Sequence, residues 1–216
     1  MKPRISLFVN DPECSIICGA GMYEALSDTY NIKFFTRDNF TPNTLKRSDI
    51  VAFPGGIGDS DTFDSIFKDK HIDTLCEYLE KGGRYLGICM GAYWASKHYF
   101  NILNNIKVVQ YIKRDNSEIK RSYATIAEVN WNNNIENMYF YDGCAMLSGN
   151  QILKKDIVAT YANGDTMAMI QNRIGLIGCH PESSYSWYRQ SYMSPHWHEF
   201  RHHKLLSEFV NKLLER

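Results

Sequence analysis

Between Arg84 and Tyr93 a short apolar run, Tyr85-Leu86-Gly87-Ile88, ends in Gly87-Ile88-Cys89-Met90-Gly91 and passes into a helical pattern. This is the sequence form of a nucleophile elbow, in which a strand delivers one side chain onto a sharp turn and a helix leaves from it. Glycines flank the turn because neighbouring side chains would collide there. A cysteine suits the position because a thiolate is strongly nucleophilic and a helix N-terminus favours that form. A chain with this feature needs a buried strand, a sheet around it and a base within reach of Cys89.

The strands needed for that sheet are present in the first half. Residues 5–9, 31–35, 49–53 and 84–88 are short apolar runs. Between them a helical pattern fits residues 19–26, and Pro42 can start a short turn after Thr41. Residues 72–79 carry Ile72, Leu75, Cys76 and Leu79 on one helical face, and Gly82-Gly83 supplies the stop. Residues 90–99 read as the helix behind the elbow. In the second half, strand patterns at 108–110, 123–129, 138–141, 145–147, 158–161, 167–170 and 174–177 are separated by Asn- and Gly-rich turns, and several look antiparallel. After Pro195 a helical face returns with Phe200, Leu205, Leu206, Phe209, Val210, Leu213 and Leu214.

Alternating strands and helices argue for an α/β, three-layer sandwich with a mainly parallel, flavodoxin-like central sheet and extra antiparallel strands in the second half. With 216 residues and no repeat or long linker, one domain over residues 1–216 is expected. In parallel sheets, sites form at the carboxyl ends of strands. Cys89 and the Pro54-Gly55-Gly56-Ile57-Gly58-Asp59-Ser60 loop both fall at such ends. The loop is not followed by Gly-Lys-[Ser/Thr], so it fails as a phosphate loop.

Composition removes other classes. Lys+Arg and Asp+Glu are both 24, so no basic excess points to nucleic acid. No apolar stretch reaches the length of a membrane span, and the first apolar run is too short for a signal peptide. Six cysteines without a secretion signal read as free thiols in a reducing, cytoplasmic setting. Cys14 and Cys18 have a spacing that suits metal, but no second pair completes a ligand set, so no metal and no cofactor are expected.

The second chemical stretch is Gly175-Leu176-Ile177-Gly178-Cys179-His180-Pro181-Glu182. Proline ends the strand. His180 can accept the Cys89 proton, and Glu182 can hold its imidazole in the required tautomer. Cys179, adjacent in an extended segment, points to the other face and reads as core. His198 and His202, four apart, offer a metal pair, and a polar helix face or a loop over the site is the expectation instead. Residues 183–188 read equally as a pocket rim and as packing over the sheet edge.

These two motifs together resemble the class I glutamine amidotransferase superfamily, whose nucleophile sits in Gly-x-Cys-x-Gly and whose His and Glu lie in a later His-Pro-Glu. The resemblance implies Cys89 as nucleophile, His180 as base and Glu182 as orienting acid. It implies an oxyanion hole from backbone N–H groups of the Gly55-Gly56 loop and Met90. Phe53-Pro54-Gly55-Gly56 and Gly83 to Ser96 look most like the N-terminal domain of eukaryotic biotin–protein ligases, with a weaker match in Val9 to Ser15. The chain lacks the Gly/Arg-rich biotin-adenylate loop of the ligase domain, so biotin ligation is not expected of it.

Typical glutaminase domains continue the elbow as Gly-His-Gln, where this chain has Gly91-Ala92-Tyr93. The pocket wall therefore differs, and Tyr93 stands where it would meet substrate. The expectation is a stand-alone amidohydrolase acting on a glutamine-type side chain or related small amide. A separate synthetase would be required to accept any ammonia. The competing expectation is a non-catalytic binding or regulatory module on the same fold.

Overall fold

The computed structural model describes residues 2–10, 15–56, 59–148 and 152–216. In chain order the first half contains β1 (Arg4–Phe8), α1 (Ile16–Leu26), β2 (Asn31–Phe35), α2 (Pro42–Leu45), β3 (Ile50–Phe53), α3 (Ser60–Ile66), α4 (Asp69–Glu80), β4 (Arg84–Ile88) and α5 (Met90–Trp94). The second half contains β5 (Lys107–Gln110), β6 (Thr125–Trp131), β7 (Asn134–Phe140), β8 (Cys144–Leu147), β9 (Ile157–Tyr161), β10 (Thr166–Gln171), β11 (Ile174–Ile177) and α6 (Arg201–Leu214).

One mixed sheet joins the two halves, with the path β2-β1-β3-β4-β11-β10-β9-β6-β7, while β8 pairs with β10 and β5. The first five strands on that path are parallel to their neighbours. Beyond β11 the pairing is antiparallel. The α/β reading therefore holds, and the antiparallel extension makes up the rest of the sheet. Side chains alternate across the strands. Ile5, Leu7, Ile50, Ala52, Leu86 and Ile88 join α1 and α6 in one core. Phe8, Val51, Phe53 and Tyr85 join α3, α4 and α5 in another. These are the two helical layers of a three-layer sandwich.

The link that matters for function is β4 beside β11. They run parallel in register, with Ile88 opposite Ile177, and Cys89 N–H donates to Ile177 O at 2.8 Å. The strand ending in Cys89 and the strand leading to His180 therefore stop together at one edge.

Two local expectations are corrected. The helix behind the elbow ends at Trp94, not residue 99. Phe100 N–H bonds Trp94 O at 2.9 Å, and Asn101 has φ 54°, which folds Phe100 back into the aromatic core. α3 was not foreseen; Asp59 caps it by accepting from Thr62 N–H at 2.8 Å, and Phe63 and Ile66 are its buried anchors. The Asn-rich turn after Trp131 is a two-residue hairpin, with Asn132 and Asn133 at φ 48° and 69°, as the twist of paired strands favours. No helix among the described residues is long and apolar enough to cross a membrane.

Candidate active site

Cys89 has φ 51° and ψ −106°, a conformation few side chains adopt. It is held there by the packing around it. A Cβ on Gly91 would lie 2.1 Å from Phe53 O, and one on Gly87 would lie 2.4 Å from Gly91 O. Gly91 N–H donates to Pro54 O at 3.2 Å, tying the elbow to the end of β3. The motif's glycines thus let three backbone segments close around one strained cysteine.

His180 stands beside it. His180 N–H donates to Tyr139 O at 2.9 Å, and its Nδ1 donates to Glu182 Oε1, also at 2.9 Å. That bond fixes the tautomer and leaves Nε2 for the thiol. Cys89 is near enough to raise the proton affinity of this imidazole. His180 is 3% exposed and Glu182 is 0% exposed. Burial works against a charged imidazole. The Glu182 carboxylate, Cys89 and the thiol hydrogen bonds outweigh it, so His180 stands well above the ordinary imidazole value. Glu182 Oε2 is buried with no hydrogen-bond partner among the described residues. The structure brings Cys89, His180 and Glu182 together.

The remaining expected residues fall nearby. Gly56, Met90, Tyr93 and Cys89 line one cavity of about 1140 Å³. Met90 opens α5, where a backbone N–H has no carbonyl of its own helix to bond. Gly55 is buried instead against His180; a Cβ there would be 2.8 Å from its Cε1. Tyr93 OH donates to Asp142 O at 3.3 Å and Gly143 O at 3.4 Å, bracing the wall against the turn after β7. Cys179 is core, with its thiol pushed up to about 12 by burial. Residues 183–188 do both things foreseen: Ser186 and Trp187 line the cavity, while Tyr188 is buried with its hydroxyl 2.8 Å from Ser183 Oγ.

Three features were missed. The first is the segment Tyr139 to Asp142, read only as strand and turn. Cys89 Sγ donates to Tyr141 O at 3.5 Å, and Tyr139, Tyr141 and Asp142 line the cavity. The second is Cys18. It lies in the first turn of α1, with a ligand atom within 4.8 Å of a His180 ring nitrogen, and a Cβ on Gly55 would be 2.9 Å from its Sγ. A signal existed: α1 follows β1, so its first turn belongs at the carboxyl edge of the sheet. Cys14, its expected metal partner, lies outside the described residues. Ligand atoms of Cys18, His180 and Glu182 do lie within 4.8 Å of one another, the one metal-capable group among the described residues. The His180–Glu182 hydrogen bond already occupies two of those three groups.

The third is the histidine cluster, where the polar-face expectation fails. His198, His202 and His203 are all buried. His198 Nε2 and His203 Nε2 each lie 3.1 Å from Ser183 O, one residue past Glu182. His202 Nε2 faces Glu136 Oε2 at 3.2 Å, and Arg201 pairs with the same carboxylate. The cluster is buttressing behind the acid. Burial first, and positive neighbours after it, hold His202 at about 3 and His198 at about 4.

In the unfolded chain these imidazoles take up protons near their ordinary value, whereas the folded protein resists until the depressed values. Their contribution is therefore complete above about pH 6.5 and is lost as pH falls through about 4 for His198 and about 3 for His202. The unfolding free energy should fall between pH 7 and pH 5 by at most about 1.4 kcal/mol per pH unit for each histidine, and the melting temperature should fall with it. His202→Gln should flatten that slope. A melting temperature unchanged over this range contradicts the assignment.

Residues 11–111 match the family described as "Biotin-protein ligase, N terminal". No curated protein matches the chain. Solved structures do. A glutamine amidotransferase from Thermotoga maritima superposes with a TM-score of 0.68 at 11% identity, over 100% of both chains. Another glutamine amidotransferase gives 0.67 at 13% identity over 98% of this chain and 99% of that one. PurLQS from Thermotoga maritima gives 0.65 at 15% identity over 99% and 100%. At such identities these likenesses speak for the fold. The chain has the fold of these glutamine amidotransferases, and its residues 11–111 are similar to the N-terminal region of biotin–protein ligase.

Proposed function

We propose that this protein is a cysteine-dependent amidohydrolase of the amidotransferase type. The observation that carries the reading is His180, which is bonded to the buried Glu182, lines one large cavity together with Cys89 and has its proton affinity raised by that thiol. Cys89 gives its proton to His180 and attacks the amide carbonyl. Backbone N–H groups of Met90 and the Gly55-Gly56 loop receive the oxyanion. The C–N bond breaks as His180 protonates the leaving nitrogen, and ammonia or an amine departs. His180 then deprotonates a water that hydrolyses the thioester. Its raised proton affinity suits the general-acid step.

The substrate is a glutamine-type side chain or a related amide. The cavity walls favour the latter. Tyr93, Tyr99, Tyr139, Tyr141 and Trp187 surround the space, and its volume exceeds what a glutamine side chain fills. Trp187→Ala should raise KM for amides with an aromatic acyl group by roughly 10-fold, from lost apolar burial of about 1.4 kcal/mol. It should leave KM for short amides nearly unchanged. Equal effects on both would show that the wall does not select substrate.

Ammonia release from glutamine and from an amide panel tests the reading directly. Release from glutamine would call for a separate ammonia-accepting synthetase as partner. The second reading, a binding or regulatory module, draws on the family match, which ends at residue 111 and so does not include His180 or Glu182. It gains if no amide is cleaved and Cys89 shows ordinary thiol reactivity.

A further inference from the structure

The amidase reading uses one cysteine, yet His180 serves two. A ligand atom of Cys18 lies within 4.8 Å of a His180 ring nitrogen, both thiols raise the proton affinity of that imidazole, and both line the same cavity at 8% and 7% exposure. The sulfur of Cys18 is placed there by structure on every side. Ser15 caps α1 by accepting from Cys18 N–H, and Ser15 N–H donates to Gly55 O at 3.2 Å, pinning the first turn of the helix to the end of β3. One turn further, a Cβ on Gly21 would fall 2.5 Å from Glu182 O, so α1 lies directly on the His-Pro-Glu segment. Hydrolysis of an amide has no use for a second thiol in this position.

We propose that Cys18 is a resolving thiol, which closes a reversible disulfide with Cys89 when a hydroperoxide enters the cavity. The Cys89 thiolate attacks the terminal peroxide oxygen. The O–O bond breaks, the hydroxide or alkoxide leaves as water or an alcohol with the proton that His180 took from Cys89, and Cys89 becomes a sulfenic acid. The Cys18 sulfur, its proton taken by His180, then attacks the Cys89 sulfur. The S–O bond breaks, and hydroxide leaves with the proton from His180 as water. Two thiols are oxidised by two electrons, and one hydroperoxide is reduced. The product removes the nucleophile but spares it from irreversible over-oxidation.

The other nearby thiol is excluded by its surroundings. Cys144 Sγ lies 4.0 Å from Cys89 O and from Met146 Sδ, fully buried on the apolar side, without access to the cavity. Burial, before any charge nearby, holds its thiol well above the ordinary value.

The inference rests on a reactive Cys89 but on no particular substrate. The test treats wild type, Cys18→Ser and Cys144→Ser with hydrogen peroxide, then maps unreduced peptides by mass spectrometry. In parallel, the rate of iodoacetamide labelling reports Cys89 reactivity. Wild type and Cys144→Ser should yield a Cys18–Cys89 cross-linked peptide that dithiothreitol reverses. Cys18→Ser should proceed to Cys89 sulfinic acid, with roughly 10-fold less thiol recovered by reductant. If Cys89 labels readily but wild type also ends as sulfinic acid with Cys18 reduced, the resolving role is overturned and the amidase reading stands. If Cys89 reacts with neither reagent, both fall.

Discussion

Cys89→Ala should fold as wild type does and release no ammonia or amine from any amide that wild type cleaves. Removing a nucleophile from a covalent mechanism lowers kcat by roughly 10⁴-fold or more. The fold should tolerate the change because alanine keeps the Cβ and removes only the sulfur, which donates one long hydrogen bond to Tyr141 O. Cys89→Gly sharpens the test. The elbow holds a side-chain-bearing residue at φ 51° and ψ −106°, a conformation that costs about 1–3 kcal/mol and that glycine adopts freely. That variant should be equally inactive and more stable than Cys89→Ala by about 1 kcal/mol or more in denaturant titration. Turnover in either variant ends the covalent mechanism. Loss of stability in Cys89→Gly would mean that the elbow is not strained. Inactivity joined to higher stability is what a site held for chemistry at the expense of folding should show.

The parts of this site that were legible in the sequence are those fixed by local backbone demands. Gly87 and Gly91 signalled the elbow because no side chain fits against Gly91 O or Phe53 O. Pro181 signalled a strand end. What brings Cys89 and His180 together is the pairing of β4 with β11, and that pairing is long-range. Residue patterns gave two strand ends on one edge; adjacency depends on the whole sheet order. The histidines at 198, 202 and 203 were misread for a related reason. Polar residue types are usually exposed, but Ser183 O and Glu136 supply partners from distant segments that make burial tolerable. Cys18 carried a positional signal, the first turn after β1, but its neighbour His180 comes from the far end of the chain. The helix after the elbow was overextended because residues 95–99 hold no Gly or Pro to stop it, while the chain turns back so that Phe100 N–H bonds Trp94 O.

Glu182→Gln should cost roughly 10³–10⁴-fold in kcat while leaving the backbone in place, as loss of the orienting carboxylate does in a nucleophile–histidine–acid arrangement. The amide has the same shape, and its oxygen can still accept from His180 Nδ1. It removes the charge that, against burial, raises His180. The imidazole then holds its proton less tightly, so the alkaline limb of the kcat profile should move to lower pH. The sign for stability follows from the same shift. A histidine whose folded value is raised contributes stability that is complete below the unfolded value near 6.5 and is lost as pH rises through the folded value. Wild type should therefore lose stability on the alkaline side, in the window above pH 6.5, while Glu182→Gln loses less there because its His180 is raised less. Glu182→Leu separates charge from shape. It leaves Nδ1–H buried without an acceptor, so it should be less stable than Glu182→Gln by about 1–3 kcal/mol. Wild-type kcat in Glu182→Gln would show that His180 needs no orienting acid. An alkaline limb that stays in place would show that Glu182 does not set the proton affinity of His180. The expected combination, a large fall in kcat with a displaced limb and a retained fold, arises only if the buried carboxylate acts through the imidazole on Cys89.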